Sequence, residues 1–391
     1  MENSFKNWPY FEQDAIDSVC NVLRSGKVNR WTGSLNTQFE SKICESVKCK
    51  YAIAVANGSL ALELAFRAIG IKANDEVIVP CRTFIASASA AAVLGAKISV
   101  VDIDINTQNI LPEAAENAVN ENTKAIVAVH LAGMPCDMDK ICAIAKKHNL
   151  YVIEDCAQAH GAIYKGKPVG SMGDIAAFSY CQDKIITTGG EGGAVTTNNE
   201  NLWRKMWEYK DHGKSYGEVF SPAQKKGFRW LAESFGTNFR MTEMQAALGI
   251  YGYKNLENWV KIRNQNASIY NSVLSKFDCI RLENIPENTR HAKYKHYCFV
   301  EPSRLKNGWS RDRIIDEISK SGIPCHSGAC PNISAEKCFV KKGWNKGESE
   351  LKNAYKLGQT SLMFLVHPTI KQCDLYRAAK VIERVLKTAQ K

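Results

Sequence analysis

A chain of 391 residues with 45% hydrophobic and 23% charged side chains can bury a large core, and it has length for two domains, since single cores stop growing at about 250 to 300 residues. That composition excludes a disordered or fibrous chain. The net charge of +11 suits an anionic partner, and a nucleic acid and a phosphorylated small molecule both fit.

The opening MENSFKNWPYFEQDAIDSVC has no basic flank followed by an apolar run, and no stretch of about 18 apolar residues occurs, so neither a secretory leader nor a membrane span is expected. A cytoplasmic location follows as an expectation. The 14 cysteines lie mostly in apolar segments such as VIEDCAQAH and KYKHYCFVEP, where buried reduced thiols are expected. Cys325 with Cys330 comes nearest to metal-ligand spacing and there is no CxxC pair, so no metal site is expected.

In chain order, YAIAVA (51–56) predicts a strand, GSLALELAFRAIG a helix closed by Gly70, DEVIVP a strand, TFIASASAAAVLG a helix and AKISVVDI a strand. TKAIVAVHL and LYVIED predict strands on either side of the helix DMDKICAIAKKH, and DIAAFSY and GGAVTTN predict two more. This alternation predicts an α/β fold with a mostly parallel sheet covered by helices. From Met241 a long amphipathic helix runs toward Phe277, followed by a strand at KHYCFVEP and helices at SRDRIIDEISKS and IKQCDLYRAAKVIERVLKTAQ. The division expected is a large domain over 1–250 and a smaller C-terminal α/β domain over 251–391.

In open α/β sheets ligands sit beyond the carboxyl ends of the strands, and four positions there carry polar residues. Asn57-Gly58-Ser59 follows the first strand and opens a helix, where free N–H groups and the positive helix end favour a phosphate. Taken alone, the same residues are a plain helix cap. Asp155 ends LYVIED, with Gln158 and His160 just beyond; it either caps the next turn or faces a cation in the cleft. Ser179 ends DIAAFSY and is either a further phosphate donor or a hydroxyl bonded within its own sheet.

The fourth is Lys184, in CQDKIITTGGEGG between two strands. A random turn lysine is solvated, but one at a cleft floor among glycines can lose its proton and attack a carbonyl. The combination of phosphate cradle, carboxylate, hydroxyl and lysine, each after a strand, makes a pyridoxal 5′-phosphate (PLP) site.

ANGSLALELAFRAIG, DEVIVPCRTFIASASA, VVDID, AIVAVHLAG, VIEDCAQAHGA, GDIAAFSYCQDKIITTGGEGGAVTTN and GTNFRMTEMQAALG together resemble the DegT/DnrJ-type sugar-nucleotide aminotransferases, in the fold-type I group of PLP enzymes. The resemblance covers nearly the whole chain. It implies that Lys184 is the Schiff-base lysine and Asp155 the partner of the pyridine nitrogen. It places Gln158 beside the ring and Phe84 stacked on it, with Gly58, Ser59, Leu60 (through its N–H) and Ser179 at the phosphate. Asn238 matches a residue that reaches the phosphate from the neighbouring subunit, so a homodimer with shared sites is implied.

One branch of the family has histidine in place of the lysine and dehydrates its sugar, a branch that Lys184 argues against. TTGGEGG carries one glycine more than the commoner TTGEGG, and reads as a length variant. GIPCHSGACPNISAEKCF and SLMFLVHPTI resemble the members that make dTDP-4-amino-4,6-dideoxyglucose for O-antigen or similar glycans, with glutamate as amino donor. His326 resembles a histidine near the sugar or diphosphate, and Trp31 lies in a segment that borders the sugar pocket. The other readings are a nucleic-acid binder, for which no module is present, a non-catalytic PLP-binding regulator, and an aminotransferase acting on a 3-keto sugar, a cyclitol or an aminobenzoate precursor.

Overall fold

The computed structural model describes residues 4–222 and 227–391. Among them, seven strands form the central sheet: β1 (Tyr51–Val55), β2 (Glu76–Pro80), β3 (Lys97–Val101), β4 (Thr123–Val129), β5 (Tyr151–Asp155), β6 (Ile175–Ser179) and β7 (Gly193–Thr197). Their spatial order is β1-β7-β6-β5-β4-β2-β3. In this sheet β7 runs antiparallel to both its neighbours, and the other pairings are parallel.

Every residue of β2, β6 and β7 is buried, as expected of strands covered on both faces, where apolar runs replace alternation. The helices Gly58–Ala68 and Met138–His148 form where the apolar periodicity predicts them. The helix expected over 83–95 is shorter, Ala86–Ala92, because residues 81–85 are drawn into a loop at the strand ends. Two helices precede β1, Gln13–Ser25 and Leu35–Val47, in a stretch for which the sequence reading gives no element.

A second, antiparallel sheet is built from β8 (Ile280–Leu282), β9 (His296–Val300), β10 (Cys325–His326) and β11 (Ser361–Phe364), in the order β8-β9-β11-β10. Residues of the helices Arg311–Lys320 and Gln372–Ala389 close the core around it. The helix Glu243–Leu274 joins the two halves. It starts with a capping box, in which Thr242 and Gln245 bond reciprocally. Its first part gives Ala246, Leu256 and Val260 to the core against the main sheet, and its last part gives Ala267, Tyr270, Val273 and Leu274 to the second core. Gly252 lets it approach closely, since a Cβ there would overlap Ile186.

The first described residues strap across the second core. Phe5 is buried in it, the Ser4 hydroxyl donates to Asp374, and the Thr369 hydroxyl donates to the Asn7 carbonyl at 3.1 Å. His367 Nε2 lies 3.1 Å from the Phe5 carbonyl. Among the described residues no helix is long and apolar enough to cross a membrane.

Candidate active site

β1, β5 and β6 end at one edge of the sheet, and the reversed β7 begins there. Ser179 on β6 pairs with Gly193 on β7, and Val55 on β1 pairs with the same glycine. The helix Gly58–Ala68 starts against them: a Cβ on Gly58 would lie 2.6 Å from the Ser179 Cβ, so only glycine fits. A Cβ on Gly193 would collide with the Asn57 carbonyl. Backbone and the Ser179 hydroxyl are thus in direct contact at a helix N-terminus, with the Ser59 side chain exposed beside them. Leu60, expected to offer its N–H to a phosphate, instead donates it to Asn57 Oδ1 at 2.9 Å. A phosphate would have to share or displace that bond.

Asp155 is 6% exposed at the end of β5. Its Oδ2 accepts from the Ser87 hydroxyl at 2.7 Å and its Oδ1 from the Ala157 N–H at 3.1 Å, so it caps the next turn at the carboxyl end of the strand. Ser87 in turn lies 2.8 Å from the Thr83 hydroxyl. The same loop presents Phe84, a phenyl ring that is 68% exposed. Gln158 Oε1 accepts the Ala132 N–H at 2.8 Å, and the Ala132 carbonyl accepts the Tyr294 N–H at 2.9 Å.

Tyr294 carries that chain of contacts to the lysine. Lys184 Nζ lies 4.9 Å from the centre of the Tyr294 ring, and the Tyr294 hydroxyl donates to Asp183. Lys295 Nζ is 3.6 Å from Asp183 Oδ2 and 4.6 Å from the same ring. Burial pushes the Asp183 carboxyl up, but Lys184, the Tyr294 hydroxyl and Lys295 outweigh it and hold the group below the usual range. Burial lowers Lys295, against the pull of Asp183. His160 is buried beside Phe178 and Tyr180, and burial, with the charges of Lys184 and Arg263, pushes it down to about 3. It is a neutral imidazole at pH 7.

The loop that carries Lys184 turns on Gly189 and Gly190, with φ of 87° and 121°. Left-handed backbone of that kind suits glycine, which accounts for the residue type at these two positions of TTGGEGG. Asn238 is exposed on a segment whose Phe239 carbonyl accepts the Ala56 N–H at 3.0 Å, which sets it at the β1 end of the cleft. His326, on β10, is lowered by burial and then by the Lys295 charge, on the side of the cleft where Asp183 stands. Trp31 packs edge-on against Trp207 at 6.3 Å with Lys214 Nζ 4.9 Å from its ring, against the helix Glu200–Lys210 at the β1 edge of the sheet.

Sequence reasoning misses Ser87, Asp183, Tyr294 and Lys295. Asp183 adjoins the lysine and could be found by asking what balances it; Tyr294 and Lys295 come from another part of the chain with no local signal.

The residues fit PLP: a buried carboxylate at the end of β5, a cradle that a Cβ on Gly58 would fill, an exposed ring for stacking, and an amine on a loop anchored at both ends. Residues 9–385 match the DegT/DnrJ/EryC1/StrS aminotransferase family. The chain is 40% identical over 320 residues to the dTDP-3-amino-3,6-dideoxy-alpha-D-galactopyranose transaminase of Aneurinibacillus thermoaerophilus, spanning 81% of this chain and 83% of that one. It is 35% identical over 357 residues to the GDP-perosamine synthase of Caulobacter vibrioides, spanning 90% and 91%. Among solved structures, the aminotransferase from Psychrobacter cryohalolentis has a TM-score of 0.95 at 50% identity, over 98% of this chain and 99% of that one. With its fold, its cleft and these relatives in agreement, the chain belongs to the DegT/DnrJ/EryC1/StrS aminotransferase family and is a PLP-dependent sugar-nucleotide aminotransferase.

Proposed function

We propose that the enzyme moves an amino group from glutamate to dTDP-4-keto-6-deoxyglucose, giving dTDP-4-amino-4,6-dideoxyglucose for O-antigen or similar glycans, as a cytoplasmic homodimer. The observation that carries this reading is the position of the segment whose sequence resembles that subgroup. The Ala329 N–H donates to the Tyr297 hydroxyl at 2.9 Å and the Ile333 N–H to the Cys81 carbonyl at 2.8 Å, so the segment lies against the loop that presents Phe84. A wall in that place would meet the sugar.

When bound, PLP supplies an electron sink for the amino-acid carbon. With the cofactor bound, the Lys184 amine would serve as the acid and base that moves the amino-acid proton, and the Asp155 carboxylate would favour a protonated ring nitrogen. Phe84 and Gln158 would fix the ring; Gly58, Ser59 and Ser179 would hold its phosphate, with Leu60 sharing its N–H. His326 stands toward the sugar or diphosphate, and Trp31 borders the sugar pocket. Lys184→Ala should abolish turnover and covalent cofactor binding; an active variant would overturn the reading.

Several large apolar side chains support a dimer: Phe228, Trp230 and Phe235 are 78%, 87% and 101% exposed. Exposed apolar groups that cluster, as Phe228 and Trp230 do edge-on at 5.2 Å, mark an interface. Asn238 would then reach the partner's phosphate. Mixing an inactive Lys184→Ala chain with an inactive Asn238→Asp chain should restore part of the activity, because one of the two shared sites in a mixed dimer is intact. No recovery from verified mixed dimers would contradict shared sites.

A second reading, amination of a 3-keto sugar, is favoured by the 40% identity to a 3-amino-sugar transaminase. A panel of nucleotide-linked 3-keto and 4-keto hexoses, with the position of the new amine read by NMR, separates the two.

A further inference from the structure

The loop that bears Lys184 is bonded at its ends. The Tyr180 N–H donates to Gly192 at 2.8 Å, the Thr188 N–H to Tyr180 at 3.1 Å and the Lys184 N–H to Cys181 at 3.1 Å. The Lys184 carbonyl is held from outside the loop: the indole Nε1–H of Trp8 donates to it at 2.9 Å. The indole is itself fixed on several sides. The Arg263 guanidinium lies 4.9 Å from its ring, Trp259 meets it edge-on at 5.1 Å and His367 stacks at 6.1 Å. Trp259 and Arg263 belong to the joining helix, and His367 accompanies the strap that seals the second core.

We propose that Trp8 is a positioning residue: its N–H holds the Lys184 backbone in register with the second domain, so that the amine returns to one place after each half-reaction. This rests on the reading of Lys184 as the residue that carries the cofactor. A long lysine side chain multiplies any error at its own Cα, and a misplacement of about 1 Å at a reacting group can cost about a hundredfold in rate. The opposing account is that Trp8 merely packs. Trp8→Phe separates them: phenyl keeps a ring on Arg263 and Trp259 but loses the donor and the volume of the second ring, so a purely packing role would speed exchange around Trp259 and Arg263 as much as at 182–186.

The test uses Trp8→Phe in the full chain, first without cofactor. Backbone amides of 182–186 should exchange with deuterium about two- to tenfold faster than in the wild type, the range that the net worth of one hydrogen bond allows, while β4 and β5 are unchanged. PLP titration followed by borohydride fixation and peptide mapping should then show the adduct on Lys184 in both proteins, with affinity about two- to tenfold weaker in the variant. Trp8→Ala, which also loses the stack, should be weaker still; if it fails to fold, Trp8→Phe decides alone. A folded Trp8→Phe protein with wild-type loop exchange and wild-type PLP affinity overturns the proposal. An adduct on a different lysine in the wild type overturns the reading of Lys184 instead, and loop exchange still reports whether Trp8 holds the loop.

Discussion

Asp155 and Glu154 are neighbours on β5 that face opposite sides of the sheet, and they do opposite work. Glu154 is fully buried and accepts the N–H groups of Gly170, Met172 and Gly173 at 2.8, 2.8 and 2.6 Å. It also lies 3.1 Å from His130 Nε2, whose Nδ1 accepts the Cys136 N–H and so leaves Nε2 the donor. The nearness of Cys156 therefore reflects a satisfied structural cluster, not a metal centre. Glu154→Gln should lower unfolding free energy by about 1 to 3 kcal/mol, the cost of mispaired buried donors, with turnover per folded molecule kept. Asp155→Asn should do the reverse: Asn Oδ1 can keep the Ala157 N–H while the Ser87 hydroxyl turns to accept from Asn Nδ2 and donate to Thr83, so the urea midpoint stays close to wild type while turnover collapses for want of charge at the ring nitrogen. Gly58→Ala should combine the effects, because its methyl must displace Ser179; stability falls by about 1 to 3 kcal/mol and PLP binding weakens in titrations of the cofactor-free protein.

The helix Glu243–Leu274 reaches the loop that carries Lys184 through Gly252, which rests on Ile186, two residues beyond the lysine. Gly252→Val should force the helix outward and cost about 1 to 3 kcal/mol in chemical denaturation, and should lower PLP occupancy as well, since the loop moves with it. That helix was legible in the sequence because its apolar period persists over many turns. So were the seven main strands, whose β-branched runs end in glycine or polar residues. The short strands Ile280–Leu282 and Cys325–His326 were not legible, because two or three residues carry no period and form only when β9 and β11 are already in place. At the candidate site, Asp155 and Ser179 stood out as polar residues at the carboxyl ends of strands, and Lys184 as a lysine in the loop beyond one. Trp8 and Tyr294 meet Lys184 through tertiary contacts between distant segments, which no local pattern encodes, whereas Asp183 adjoins the lysine in the chain.

Over the whole molecule, several histidines are buried neutral. Burial pushes His160 and His296 down to about 3, and His291 and His367 down to about 4. Neighbouring cations reinforce each shift. In the unfolded chain a histidine titrates near about 6.5, so between that pH and about 4 the unfolded state takes up protons that the folded state refuses. Stability should therefore hold above about pH 6.5 and fall on acidification, by about 1.4 kcal/mol per pH unit for each proton refused. Urea midpoints at pH 7 and pH 5 check this; equal midpoints would mean that these side chains protonate in place. The reversed direction of β7 has a consequence of another kind. Because β6 and β7 are antiparallel and joined at Ser179 and Gly193, the segment between them is a closed loop with both feet on the same edge, not a crossover that must span the sheet. An added residue is absorbed within the loop, and lengthening a closed loop costs little. The longer TTGGEGG is one such addition, inserted where the chain can change length and leave the sheet's register, and the footing of the lysine, as they were.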